Sequence, residues 1–478
     1  MRATTPALSV SPQLSGATMD DLLKSADLLV SPHAGSLDDV RAWLRRRSTI
    51  DAPAIERIPL DALDGWHFAA GSGDLVHDSG GFFQIRGLRV RDVDDHAVNW
   101  SQPIVYQPEI GVLGILTMKI DGVLCLLMQA KMEPGNINTM QLSPTVQATR
   151  SNYRRVHGGA ATRYLGRFTD PDGGRLLVDV LQSEQGGTFY QKRNRNMIVE
   201  VRDARDTVDE YRWLTLGQVY ALLREDNVVN MNARSVLSNL LPVMLQRAER
   251  PSRTGLAEAV AESLADARSS LELRNWFNGI KARCSRYSEL IPLGDLAPWR
   301  RTAMEISHPE GRYFSVIGVS VNGSNREVPR WQQPLVAPSG QGVVAFVVST
   351  VNGVLEVLLQ ARAEAGTRDA VELAPTVQAI ARSYDGFEPW RRPPLLDLVL
   401  TAPPAQIRYD VLLSEEGGRF FQAVHRYMVV EVGRDVRDWA LPPQYRWASI
   451  AELAELVPHS GYFTVESRSL LACMQTLW

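Results

Sequence analysis

The feature that most constrains the fold of this chain is an internal repeat. The segment QLSPTVQATRSNY ends at Tyr153, and a second version, ELAPTVQAIARSY, ends at Tyr384. Upstream, the string Ile58–Leu60 returns at Ile291–Leu293, each time followed by a tryptophan. A repeat of this length predicts one structural unit built twice. We therefore look for function in what the two copies share and in where they differ.

Each copy carries the pattern of a mixed α+β unit. The apolar runs 111–118 and 123–129 flank a turn at Asp121-Gly122, and the second copy has Asn352-Gly353 in the matching place. Both dipeptides favour the positive φ angles of a tight hairpin. A second strand pair is predicted over residues 175–181 and 188–201. Helices are predicted over residues 20–30, 37–47 (capped by Ser36), 216–224, 232–245, 450–456 and 465–477.

Composition shifts divide the chain. Residues 1–18 are rich in Thr, Ser, Pro and Ala and predict a flexible lead-in. Pro and polar residues at 250–254 interrupt two helical patterns. We expect a first domain over residues 19–250 and a second over 251–478.

Charge and cysteine content exclude several classes of protein. A net charge of −3 argues against a general nucleic-acid or membrane surface, which would need a basic excess. Three separated cysteines with no CxxC pair predict neither a disulfide framework nor a zinc site. With no signal peptide or membrane span in the pattern, we expect a cytoplasmic protein.

The run 191–196, QKRNRN, places polar groups on both faces of a predicted strand. One interpretation is a phosphate-binding strand; the other is an edge strand whose charges prevent aggregation. The second copy, QAVHRY, keeps one of the three cations. Elsewhere, Lys131 becomes Arg362, Arg150 becomes Ala381 and His157 becomes Glu388. We therefore expect the first copy to be active and the second to be degenerate.

Several long strings resemble one enzyme family, the NDP-hexose 2,3-dehydratases of deoxysugar biosynthesis. They are QPEIG, QAKMEPGN, QLSPTVQATRSNY, VDVLQSEQGG and RNRNMIVEV, all in the first copy. The resemblance implies two tandem Nudix-hydrolase-like domains with mixed β-sheets and flanking helices, arisen by duplication. It also implies a homodimer, a dTDP-4-keto-6-deoxyglucose-like substrate, and a product passed to a 3-ketoreductase.

The magnesium helix of Nudix hydrolases is missing from the sequence. From Pro134 to Thr169 there is no Asp or Glu, whereas hard divalent cations need carboxylate oxygens. No GxGxxG or GxxxxGK[ST] motif stands out either. We expect no metal and no cofactor.

The implied chemistry needs a base at C3 of the sugar, positive charge or donors at the C4 oxygen and an acid at the C2 oxygen. The candidates for catalysis are Glu184, Tyr153, His157, Lys131 and Lys192. The candidates for substrate binding are Gln129, Gln147, Arg150, Arg193, Asn194 and Arg195. Packing roles remain open for each of them. Two rival functions also remain open: a Nudix-type NDP-sugar hydrolase and a non-catalytic nucleotide-sugar-binding protein.

Overall fold

The computed structural model describes residues 16–94, 99–149, 162–170, 172–204, 207–249, 255–266, 269–323, 330–388 and 391–478. The predicted lead-in therefore lies mostly outside the described residues. At its end, however, a helix already begins at Gly16, and Thr18 is buried in it. The domain boundary at residues 250–254 also lies outside the described part of the chain.

The described residues contain two matching seven-stranded sheets. In the first, neighbouring strands run in the order Met140–Ser143, Val123–Met132, Gly111–Ile120, Arg193–Glu200 and Arg175–Ser183, with Val146–Ala148 and Tyr211–Leu214 attached. In the second, the order is Glu372–Ala374, Val354–Arg362, Gly342–Val351, Val424–Glu431 and Ile407–Ser414, with Val377–Ala379 and Tyr445–Ser449 attached. One strand pair in each sheet is parallel and the others are antiparallel. The predicted mixed α+β architecture, with two related halves, is confirmed.

The hairpin turns also form as predicted. Asp121 and Gly122 have φ angles of 49° and 84°, and Asn352 and Gly353 have 53° and 84°. These positive angles match the right-handed twist of the flanking strands. The turn chemistry of both copies is therefore locally encoded.

Two smaller sheets exchange strands between the halves. The first contains Trp66–Phe68, Leu75–His77, Gln84–Asp92 and Asn99–Tyr106, together with Arg286–Ile291 from the second copy. The second contains Arg300–Arg301, Glu305–Ser307, Phe314–Asn322 and Arg330–Pro338, together with Ala54–Ile58 from the first copy. The exchanged strands end at the two repeated Ile-Pro-Leu strings. Neither half is self-contained along the sequence.

Helices pack the halves onto one another. The α-helices are Gly16–Ala26, Leu37–Ile50, Gly166–Thr169, Leu216–Leu222, Met231–Leu237, Leu241–Met244, Leu256–Ala265, Leu271–Arg283, Leu396–Leu400, Ile450–Leu456 and Val465–Met474. Short 3₁₀ helices are Leu60–Ala62, Ser238–Leu240, Leu245–Glu249, Leu293–Asp295, Ala381–Tyr384, Pro404–Gln406 and Arg434–Asp438. A further two-stranded sheet pairs Val30–Ser31 with Gly35–Ser36. The helix predicted over residues 20–30 instead spans Gly16–Ala26, and Val30 belongs to the two-stranded sheet. The predicted capping box of Ser36 and Asp39 is present.

The two copies also meet through their loops. Gly135 donates a backbone hydrogen bond of 2.7 Å to the Gly417 carbonyl and accepts one of 2.6 Å from Gln422. Likewise, Gly366 donates a backbone hydrogen bond to the Gly186 carbonyl and accepts one from Gln191. A Cβ added to Gly135 would lie 1.6 Å from the Phe420 carbonyl oxygen, so only glycine permits this approach. Loops of both copies are thereby held against each other beside the large sheets.

Candidate active site

A cavity of about 820 Å³ is lined by the first large sheet and by strands of both small sheets. Six of its lining residues come from the polar positions of the first copy: Lys131, Glu133, Gln147, Glu184, Lys192 and Asn194. Others come from the second copy, among them Arg330, Trp331, Glu416 and Arg419. We call this the first cavity. It is built by both halves.

The strand Arg193–Glu200 and the residue before it decide which polar side chains reach the first cavity. Side chains alternate between the faces of a strand, so Lys192 and Asn194 share one face and Arg193 and Arg195 share the other. Lys192 and Asn194 line the cavity. Arg195 instead pairs with Asp179 at 2.6 Å on an outer surface. Arg193 lines a separate, much smaller pocket.

Glu184 and Lys192 are both buried in the cavity wall and interact electrostatically. Their exposed fractions are 7% and 5%. Asn194 donates a hydrogen bond to Glu184 Oε1, while Glu184 Oε2 has no hydrogen-bond partner within the described residues. Burial raises the pKa of Glu184, and Arg468 and Lys192 partly offset that rise. Glu184 thus has one carboxylate oxygen held in place and one buried oxygen that no donor of the described residues engages.

The ammonium of Lys192 is desolvated and anchored. Its Nζ donates a hydrogen bond to the Glu109 carbonyl oxygen. Burial lowers the pKa of Lys192 to about 8, although the carboxylates of Glu184 and Glu109 act in the opposite direction. Lys192 is therefore still mostly protonated at neutral pH, and its proton is unusually available.

Lys131, Glu133 and Gln147 form a second polar group on the same wall. Lys131 Nζ donates to the Gln147 backbone carbonyl at 3.3 Å. The Gln147 side chain donates to Glu133 Oε1 at 2.8 Å and to Glu416 Oε1 at 3.4 Å. The side-chain amide of Gln147 is therefore hydrogen-bonded to one carboxylate from each copy.

Aromatic side chains form the opposite wall. Trp66 packs against Phe83 with ring centroids 5.0 Å apart and against the edge of His77 at 5.2 Å. Arg419 lies over the Phe83 ring at 4.1 Å and donates to Gln107 Oε1 at 3.4 Å. Burial lowers the pKa of the Arg419 guanidinium. The cavity thus offers an aromatic, apolar surface with a cation beside it.

The sequence candidates separate into three groups. Lys131, Gln147, Glu184, Lys192 and Asn194 come together in the first cavity. Gln129, Arg193 and Arg195 do not line it, so they carry no part of the site described here. Tyr153, His157 and Arg150 lie outside the described residues, and their roles stay predictions.

Sequence reasoning missed the contributions of the second copy, Glu416 and Arg419, and the aromatic wall around Trp66. A sequence difference between the two copies could have indicated the contribution of Glu416. The first copy reads Ser183-Glu-Gln-Gly-Gly187 and the second reads Ser414-Glu-Glu-Gly-Gly418. The extra carboxylate is in the copy predicted to be degenerate, but it faces the cavity of the other copy.

A second cavity of about 780 Å³ occupies the matching place in the other half. There, Lys192 is replaced by Ala423, Asn194 by His425, Glu416 by Gln185 and Arg419 by Thr188. Glu184 persists as Glu415, which accepts hydrogen bonds from Gln185 at 2.9 Å and Tyr427 at 3.0 Å. The second cavity keeps the shape of the first but has fewer cations, and its conserved carboxylate is engaged by protein donors.

Two wider features of the described residues bear on function. They contain no group of three or more His, Cys, Asp and Glu side chains placed to hold a metal ion. No helix in the described part of the chain combines the length and the apolar character that crossing a membrane requires.

Comparison with known proteins gives a consistent result. A family model described as NDP-hexose 2,3-dehydratase matches residues 37–240 and 270–474. A protein of Saccharopolyspora spinosa is 46% identical over 92% of this chain and 91% of its own length. A protein of Amycolatopsis orientalis is 47% identical, with 91% and 90% covered. Both are named dTDP-4-dehydro-6-deoxy-alpha-D-glucopyranose 2,3-dehydratase. The resemblance found in the sequence is confirmed.

Proposed function

Because the chain belongs to the NDP-hexose 2,3-dehydratase family, we propose that it removes water across C2 and C3 of dTDP-4-keto-6-deoxyglucose. The product is a dTDP-3,4-diketo-2,6-dideoxyhexose. The observation that carries the site assignment is the convergence of Glu184, Lys192 and Lys131 in one cavity. Each half, with its mixed sheet and flanking helices, is a Nudix-hydrolase-like unit in this proposal.

Glu184 is the base in the proposed reaction. The C4 ketone acidifies the C3 proton, and Glu184 lines the first cavity with a buried Oε2 that accepts no hydrogen bond within the described residues. Its raised pKa makes it a stronger base than an exposed carboxylate, while Lys192 and Arg468 favour its ionised form. Removal of the proton leaves an enolate, with negative charge on the C4 oxygen.

Lys192 and Lys131 stabilise that enolate. Both line the first cavity, where a partly desolvated ammonium interacts with a developing oxyanion more strongly than it would in water. Electrons then return from the C4 oxygen, a double bond forms between C2 and C3, and the C2 hydroxyl leaves. The resulting enol tautomerises to the diketone, so atoms and electrons balance without an oxidant.

The rest of the first cavity fits the nucleotide. The aromatic residues Trp66 and Phe83, whose rings are tilted by 57° to each other, supply an apolar surface for a thymine ring. Arg419 and the exposed Arg330 supply positive charge for the diphosphate. Both arginines belong to the second copy, which makes the proposed site a composite of the two.

The resemblance supports two further proposals, a homodimer and a 3-ketoreductase that consumes the product, and the sequence pattern is the basis of a third, a cytoplasmic location. A freshly formed 3,4-diketone is reactive, so a reductase that acts on the C3 carbonyl is a chemically suitable next step.

The mass of the product tests this function. After incubation with dTDP-4-keto-6-deoxyglucose, we expect a nucleotide sugar lighter by one water, in the presence of a chelator as well as in its absence. The reason is that the carboxylate-free run from Pro134 to Thr169 lacks the ligands of a hydrolase magnesium site. Release of a nucleoside monophosphate that depends on Mg²⁺ would instead identify a hydrolase, and unchanged substrate would identify a binding protein.

A further inference from the structure

Glu416 lies at the point where the two copies meet in the first cavity. It belongs to the loop after strand Ile407–Ser414 of the second copy, yet it lines the cavity of the first. The Gln147 amide donates to Glu416 Oε1 and also to Glu133 Oε1. Two carboxyl groups therefore converge on one donor, and they are close enough for the Glu133 carboxylate to influence the ionisation of Glu416.

The surroundings favour the protonated form of Glu416. Burial raises the pKa of Glu416 to about 7, and the neighbouring Glu133 carboxylate contributes to that rise. The charged groups that face it are Glu133, Glu184, Lys131, Lys192 and Arg419. At neutral pH a substantial fraction of Glu416 therefore carries a proton inside the cavity, whereas an exposed glutamate would be ionised.

The two cavities differ at this position in the ability to transfer a proton. The counterpart of Glu416 in the second cavity is Gln185, whose amide donates to Glu415 at 2.9 Å. An amide side chain can hydrogen-bond but cannot act as an acid under these conditions. The carboxylic acid is thus found in the cavity that also holds Lys192, and it is missing from the one that has Ala423 there.

We propose that Glu416 is a further catalytic residue, the acid that protonates the departing C2 hydroxyl of the substrate. This inference rests on the proposed function and assigns the group that the elimination still requires. The Glu416 proton forms a bond to the C2 oxygen as the C2–O bond breaks, and water leaves. Glu184 then releases the C3 proton and Glu416 takes up another, which restores both groups.

The test is the isosteric substitution Glu416→Gln, assayed with two substrates. With the natural hydroxyl substrate, kcat/KM should fall by about 10²- to 10⁴-fold, the usual contribution of a general acid. With an analogue that carries fluorine at C2, it should change by less than about threefold, because fluoride leaves as an anion without a proton. Exchange of the C3 hydrogen in D₂O should continue, since the base is intact.

The pH profile of the unmodified enzyme is a second measurement that does not depend on the variant folding. An acid must be protonated to work, so kcat/KM for the hydroxyl substrate should decline as pH rises through about 7. The fluorinated substrate should not show this decline and should lose rate only at the higher pH where Lys192 deprotonates.

Three results would overturn the role of Glu416. They are an unchanged rate in Glu416→Gln, an equal loss with both substrates, and loss of C3 exchange. Failure of the unmodified enzyme to eliminate water from the hydroxyl substrate or fluoride from the analogue is a different outcome, because it would contradict the proposed function itself.

Discussion

Replacing Glu184 by glutamine is expected to lower kcat/KM for dehydration by about two to four powers of ten. Glutamine keeps the size of the side chain and can still contact Asn194, but it cannot accept the C3 proton. The loss should be the same for substrates with a hydroxyl or a fluorine at C2, because both require removal of that proton. An equal loss with both substrates would distinguish the role of Glu184 as base from the role of Glu416 as acid.

The measurement is kcat/KM together with deuterium incorporation at C3 of substrate recovered from D₂O. Glu184→Gln should lower both by the same large factor. The matched control is Glu415→Gln, which alters the equivalent carboxylate in the second cavity and should leave dehydration nearly unchanged. Continued C3 exchange in Glu184→Gln would mean that another group is the base, and equal damage from the two substitutions would mean that both cavities take part.

Substitution of Lys192 by alanine is expected to lower kcat/KM by about two to three powers of ten, the usual result of removing a donor from a developing oxyanion. The ammonium is 5% exposed and lies beside Glu184, so its charge acts in a desolvated site. The neighbouring substitution Arg193→Ala is the matched control. Its side chain leaves the opposite face of the strand, outside the first cavity, and its loss should cost little activity.

The pH dependence of kcat/KM provides a second test of the role of Lys192. Lys192 stabilises the enolate only when protonated, so its contribution should be present at neutral pH and should disappear as pH rises through about 8. Rates of Lys192→Ala should lack this decline. A severe effect of Arg193→Ala with a mild effect of Lys192→Ala would show that the strand presents its other face to the substrate.

The features of the fold that the sequence predicted are mostly local. The repeat predicted two related α+β halves, and the turns at Asp121-Gly122 and Asn352-Gly353 form as expected because positive φ angles are properties of those residues. The capping box of Ser36 and Asp39 is equally local. Helix ends were less accurate, since tertiary packing decides where the last turn stops.

The exchanged strands could not be read from either copy alone. Ala54–Ile58 looks like an ordinary strand of the first half, and only long-range pairing assigns it to Phe314–Asn322 of the second. The position of Glu416 could not be predicted for the same reason. Its neighbours along the chain belong to the second half, whereas its side chain lines the cavity of the first. A sequence repeat shows that two units exist, but not which surfaces they share.

The polar strand shows an intermediate case. Alternation predicts that Lys192 and Asn194 point one way and Arg193 and Arg195 the other. Which face turns inward depends on how the sheet is covered, and charge alone did not distinguish Lys192 from Arg193 and Arg195. Arg195 is instead occupied by Asp179 at 2.6 Å.

In the proposed reaction one composite cavity acts on the substrate, with Glu184 and Lys192 from the first copy and Glu416 from the second. A crystal structure of Glu184→Gln with trapped substrate tests it most directly. We predict that C3 of the hexose faces the side chain at position 184, and that the C2 oxygen lies within hydrogen-bond reach of Glu416, about 2.6 to 3.2 Å. A hexose ring bound beside Glu415 and His425 instead, with the first cavity empty, would contradict the account.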